Sequence, residues 1–110
     1  MKKRGLMRAF TDSSIKLYGP EGEVIYKGKV HDISEGGVLV LSGGLDDLVP
    51  FSESQEINFK LSLPTGLVAG TAEIMYVDND EGRMGLKFVK IVNKEGVSNL
   101  MSFVANGLSG

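Results

Sequence analysis

At 110 residues the chain has room for one core, burying somewhat under ~70% of the surface its unfolded form exposes. Cysteine is absent and histidine occurs once, which excludes disulfides, thiolate metal sites and a histidine-based zinc centre. The formal charge of −2 hides an asymmetry: Lys2, Lys3, Arg4 and Arg8 open the chain without an acid, whereas the remainder holds all 14 acids and the other eight bases. So acidic a body argues against long nucleic acid, while a basic leader suits one small dianion.

No run of about 18 apolar residues occurs, and the basic start runs into Ala9-Phe10-Thr11-Asp12, not into a stretch of signal-peptide character. The expectation is a soluble, cytoplasmic protein with no membrane contact. Residues 1–10 show neither strand nor helix period and read as an arm that fastens onto the body. Arg4 and Arg8 stand four apart in it, a spacing that stacks two guanidinia on a helical turn or lets them embrace a ligand from a curved loop. A solvated basic terminus is the plainer reading of the same residues.

Residues 11–18 alternate weakly, with Ile15 and Tyr18 as apolar anchors, and Gly19-Pro20-Glu21-Gly22-Glu23 is a turn cluster of hairpin length. Residues 24–30 are rich in β-formers. They lead into a polar knot, His31-Asp32-Ile33-Ser34-Glu35-Gly36-Gly37, expected as a turn before the apolar strand 38–41. The loop 42–50 offers apolar residues to close one end of the core. Residues 54–63 alternate cleanly, with Ile57, Phe59, Leu61 and Leu63 on one face and Glu56, Asn58, Lys60 and Ser62 on the other. Pro64-Thr65-Gly66 turns the chain into 67–77, where Ala72, Ile74 and Tyr76 oppose Glu73, Met75 and Val77.

The next turn, Asp78-Asn79-Asp80-Glu81-Gly82, resembles the start of a calcium loop. Its glycine falls at the fifth position and its twelfth residue is Val89, where a bidentate Glu is required, so it reads as a hairpin. Residues 83–91 form a sixth strand, with Met84, Leu86 and Phe88 on one side and Arg83 and Lys87 on the other. The period then changes. Val97, Leu100, Met101, Val104 and Leu108 lie on one helical face, with Asn93 as the expected N-cap and Gly107 near the end. That face must be covered, by an open end of the sheet or by another subunit, and a homodimer stays open.

Six short strands joined by hairpins expose edges unless they close on themselves. The expected fold is all-β, a six-stranded antiparallel barrel over residues 11–92 followed by a helix over 93–108. Chemistry gathers at the knot. Asp32 and Ser34 stand two apart and point to one face of an extended backbone, and Gly36 with Gly37 permits positive φ and leaves main-chain N–H groups bare, an anion-accepting arrangement with the Ser34 hydroxyl. Asp32 and Ser34 are also ordinary turn formers that cap their own backbone. His31 beside them does not make a hydrolytic triad, because successive strand positions alternate faces and no second acid or oxyanion hole is evident. No catalytic residue is assigned and no enzyme activity is expected.

Arg4-x-x-x-Arg8, followed one strand pair later by Asp32-x-Ser34-x-x-Gly37, resembles the two-part signature of the PilZ domain family, bacterial receptors for cyclic di-GMP. Met84-Gly85-Leu86-Lys87-Phe88 resembles the last barrel strand of that family, so the similarity spans nearly the whole chain. The resemblance implies a six-stranded barrel, an arginine loop ahead of its first strand, and a ligand held between loop and barrel by Lys3, Arg4, Arg8, Asp32, Ser34, Gly36 and Gly37. It also implies that the residue before the first arginine, here Lys3, influences whether one ligand or a stacked pair is bound. The implied partner is an effector protein, recruited when the ligand orders the arm. An adaptor of the same fold that binds no nucleotide is the alternative. Gly85 is equally readable as relief of crowding at a barrel bend.

Overall fold

The computed structural model describes residues 13–42, 48 and 50–109. Six strands and one helix follow in order: β1 (Ser14–Tyr18), β2 (Val24–Ile33), β3 (Gly37–Leu41), β4 (Glu56–Leu63), β5 (Gly66–Asp78), β6 (Arg83–Ile91) and α1 (Gly96–Ser109). Every pairing is antiparallel, and the strands close into a barrel in the order β1-β2-β3-β6-β5-β4. The alternation of β4 sets the pattern: Ile57, Phe59, Leu61 and Leu63 are buried and the residues between them are exposed. Ile15 and Leu17 of β1, Val38 and Val40 of β3 and Met84 and Leu86 of β6 fill the same interior. Leu17 takes the inward place expected for Tyr18, which is only half-buried. Phe59 and Phe88 stack inside with centroids 5.3 Å apart, and Phe51 meets Tyr26 edge-on at 6.1 Å, closing one end together with the buried Leu48.

Of the register slips in the barrel, two change which residues face out around one stretch of wall. In β2 the register slips between Val30 and Asp32, leaving His31 without an opposite residue in β3. The strand therefore runs through His31 and Asp32 to Ile33, and the expected turn shrinks to Ser34, Glu35 and Gly36. In β5 the slip between Ile74 and Tyr76 leaves Met75 unpaired. One extra residue reverses the side-chain parity. Val77 consequently turns toward the core and Tyr76, expected beside Ala72 and Ile74, turns out.

The helix packs on β5 and the end of β4 through Leu100 and Val104. Asn93 is not its N-cap. The Asn93 side chain donates to the Leu67 carbonyl and accepts from the Ala69 N–H, both at 2.8 Å, so its capping group is engaged by β5. The first helical bond is accepted by the Glu95 carbonyl from Asn99, and Asn99 in turn donates to Leu67 while its own carbonyl accepts the Thr65 hydroxyl. Among the described residues no helix is long and apolar enough to cross a membrane.

Candidate functional site

Strand register assembles a row across the outside of four strands. Asp32 in β2 stands opposite Leu39 in β3, Leu39 opposite Gly85 in β6, and Gly85 opposite Tyr76 in β5. The row forms the floor of an open cleft of about 560 Å³ whose rim includes Ser34, Gly36, Gly37, Met75 and Lys87. Both bulges border it. The β2 bulge brings neighbouring residues to one side, so His31 Nε2 lies 3.9 Å from Asp32 Oδ2, contrary to the simple alternation expected for them. No triad results, because the Ser34 hydroxyl is engaged elsewhere.

Ser34 holds the turn together. Its N–H donates to the Gly37 carbonyl at 2.9 Å, its hydroxyl reaches the same oxygen at 3.4 Å, and Gly36 N–H donates to Ser34 Oγ at 3.2 Å. The Gly36 N–H, expected to receive an anion, is thus satisfied within the turn, as is the N–H of Ser34 itself. The Gly36 carbonyl accepts from Phe88 N–H at 2.9 Å, tying the turn to β6. Neither Gly36 nor Gly37 takes positive φ, unlike Gly22, Gly66 and Gly82. The reason for Gly37 is proximity: a Cβ there would collide with the Leu86 carbonyl of β6, whereas one on Gly36 would meet nothing closer than Ser34 Oγ at 4.0 Å.

Gly85 has a comparable explanation. A Cβ on it would press into the Tyr76 ring, which lies over the glycine. That ring is 41% exposed and Met75 beside it 49%, so the cleft has a flat apolar wall rather than a fully polar lining. Met75 and Tyr76 escaped sequence reasoning because an all-apolar run hides the position of a bulge. Lys87 was legible as an outward residue of β6, and its place opposite Gly37 adds a cation at the rim. Lys3, Arg4 and Arg8 lie outside the described residues. Among the described residues no three His, Asp or Glu side chains gather as a metal site.

A carboxylate that accepts, an ammonium that neutralises an anion, and a flat wall over bare backbone together suit a planar heterocycle carrying N–H donors and phosphate. The sequence profile of the PilZ domain matches residues 2–106. The chain belongs to the PilZ domain family. PilZ proteins are receptors for cyclic di-GMP and not enzymes.

Among solved structures, apo MrkH from K. pneumonia superposes with a TM-score of 0.74 at 18% identity, covering 98% of this chain and 51% of MrkH. The inhibitor of motility MotI from Bacillus subtilis gives 0.67 at 18% identity, covering 99% and 52%. The PilZ domain of YcgR from Escherichia coli, solved with c-di-GMP, gives 0.61 at 12% identity, covering 88% and 82%. This PilZ chain spans about half the length of MrkH and MotI, and likeness at such identities speaks for the fold alone. No curated protein matches it significantly.

Proposed function

We propose that this PilZ chain is a cytoplasmic cyclic di-GMP receptor whose arm closes over the cleft and so alters a surface read by an effector protein. The observation that carries the reading is the convergence of Asp32, the Ser34 turn, Lys87 and Tyr76 on one cleft in this family fold. Asp32, an acceptor when ionised, suits the N1–H and N2–H₂ donors of guanine, which adenine lacks. Lys87 lies where it can neutralise phosphate, and Tyr76 offers a stacking face for a base. Arg4 and Arg8 supply forks for guanine O6 and N7 or for phosphate, each good pairing with a base contributing about 1–3 kcal/mol of discrimination. Ordering an arm of about eight residues costs roughly 8–16 kcal/mol in backbone entropy. Charge-assisted contacts must offset that cost, so micromolar affinity is expected.

The name of the MotI neighbour, an inhibitor of motility, supports motility as the process downstream. Calorimetry tests the receptor reading: saturable heat with cyclic di-GMP, little with GMP, and loss of the signal in both Arg8→Ala and Asp32→Ala. Absence of heat with the dinucleotide would overturn it in favour of an adaptor that works without ligand.

A further inference from the structure

A second outward surface lies on the other side of β2, where β1 is flanked by β2 and β4. Register places Lys27 of β2 opposite Lys16 of β1, and Lys16 opposite Lys60 of β4. All three side chains are exposed. Two positions along the strands on one side, Lys29, Ser14 and Ser62 form the next row; on the other side Tyr18 and Asn58 do, with Thr71 of β5 donating its hydroxyl to Asn58 at 3.2 Å. The Lys60 ammonium sits 5.5 Å from the centre of the Tyr18 ring. No acid occupies any of these positions, although acids outnumber bases in the chain.

Cross-strand neighbours stand about 5 Å apart, so three ammonium stems share a line about 10 Å long. Like charges placed directly opposite destabilise a sheet. Elsewhere opposite charges meet, Glu73 with Lys87 and Asp78 with Arg83 between β5 and β6. β4 sets Glu56 opposite Glu73, but Lys87 stands on the other side of that acid, whereas the lysine row keeps one sign across three strands. Among the described residues, none of Lys16, Lys27 and Lys60 takes part in an ion pair. An exposed row that needed only solubility would not require one sign throughout. The arrangement is explained by an anion that lies along it.

We propose that the outer face of β1 docks an acidic helical segment of a partner protein. Carboxylates three and four residues apart on a helix are spaced about 5–6 Å, close to the spacing of the lysine row. Flanking hydroxyls and an amide add short directional bonds. Among the described residues the face presents no guanidinium fork and a single aromatic ring, so it is poorly equipped to read nucleic-acid bases. A flat anionic bilayer would meet the exposed Glu21 and Glu23 at the tip of the β1–β2 hairpin, whereas a narrow segment laid across the strands avoids them. The assignment gives the chemistry of the effector in the receptor reading, and rests on that reading for the partner's being a protein.

The test is a fluorescence titration of the full chain with a labelled, alanine-based helical peptide carrying Glu at every fourth position. The triple variant Lys16→Gln/Lys27→Gln/Lys60→Gln is compared with wild type and with Lys94→Gln, an exposed lysine outside the face. At least tenfold weaker peptide binding in the triple variant, with Lys94→Gln unchanged, is the expected result. Equal binding by the triple variant overturns the assignment. So does tighter lysine-dependent binding of phosphatidylserine vesicles or a single-stranded oligonucleotide. Cyclic di-GMP calorimetry on the same samples separates the two readings: heat retained in the triple variant leaves the receptor intact whatever the peptide does, and peptide binding without nucleotide heat removes the receptor reading alone.

Discussion

Two outward faces of one barrel meet at β2 and are built on opposite plans. Across β2, β3, β6 and β5 the register is broken at His31, at Met75 and at Val89, and glycines stand at 37 and 85. Across β2, β1 and β4 the ladder runs unbroken through the lysine row, slipping only near the hairpin between Leu17 and Tyr18. Broken register opens a concavity, because a bulge bends its strand and aims side chains away from the regular pleat. Intact register keeps like side chains in line at the strand spacing. A pleated wall can thus discriminate by shape where its pairing fails and by charge where its pairing holds.

The comparison breaks most severely at Gly37. Gly37→Val drives a side chain into the β6 backbone and is expected to destabilise the protein by about 3 kcal/mol, read as a lower urea midpoint. Gly36→Ala, with open space around it, should stay within about 0.5 kcal/mol. A matching loss for both substitutions would show that the turn, not the approach of β6, sets the requirement.

Asp32→Ala is expected to weaken cyclic di-GMP binding by tenfold or more, since hydrogen bonds to a charged group contribute about 1.5–3 kcal/mol. Tyr76→Ala should follow at roughly tenfold, the scale of one base stacked on a ring, with little change in thermal midpoint because the ring is largely outside the core. Unchanged nucleotide affinity in Tyr76→Ala would reduce the wall to packing over Gly85. The smallest effect belongs to the other face. Lys16→Gln should raise stability by a few tenths of a kcal/mol at low salt, and the gain should fade toward 1 M salt, where the Debye length shrinks to about 3 Å. A destabilised Lys16→Gln would contradict the repulsion.

The six strands, the closed antiparallel barrel and most of the core were legible from alternation, β4 most plainly, whereas the pairing of β3 with β6 and of β1 with β4 was not. Asp32 and Ser34 were also legible as neighbours of one site. The bulges were not. His31 is compatible with either side of a strand, and Met75 lies in an apolar run, so nothing in residue type marks where parity reverses. Asn93 has the composition of a cap, yet the Leu67 carbonyl and Ala69 N–H near the start of β5 compete for its side chain and win. The glycine pair suggested positive φ. The determining fact for Gly37 was instead the Leu86 carbonyl, 49 residues away in sequence, which no local pattern encodes.

Closure of β1 onto β4 has a consequence for any protein that meets this one. A barrel wall offers no free ladder of N–H and C=O groups, so a visiting peptide cannot join it by adding a strand, and barrels of different molecules cannot zip together along an open margin. Recognition has to proceed through what the wall displays, and a few surface substitutions can rewrite it while the hydrogen-bonded frame beneath stays the same.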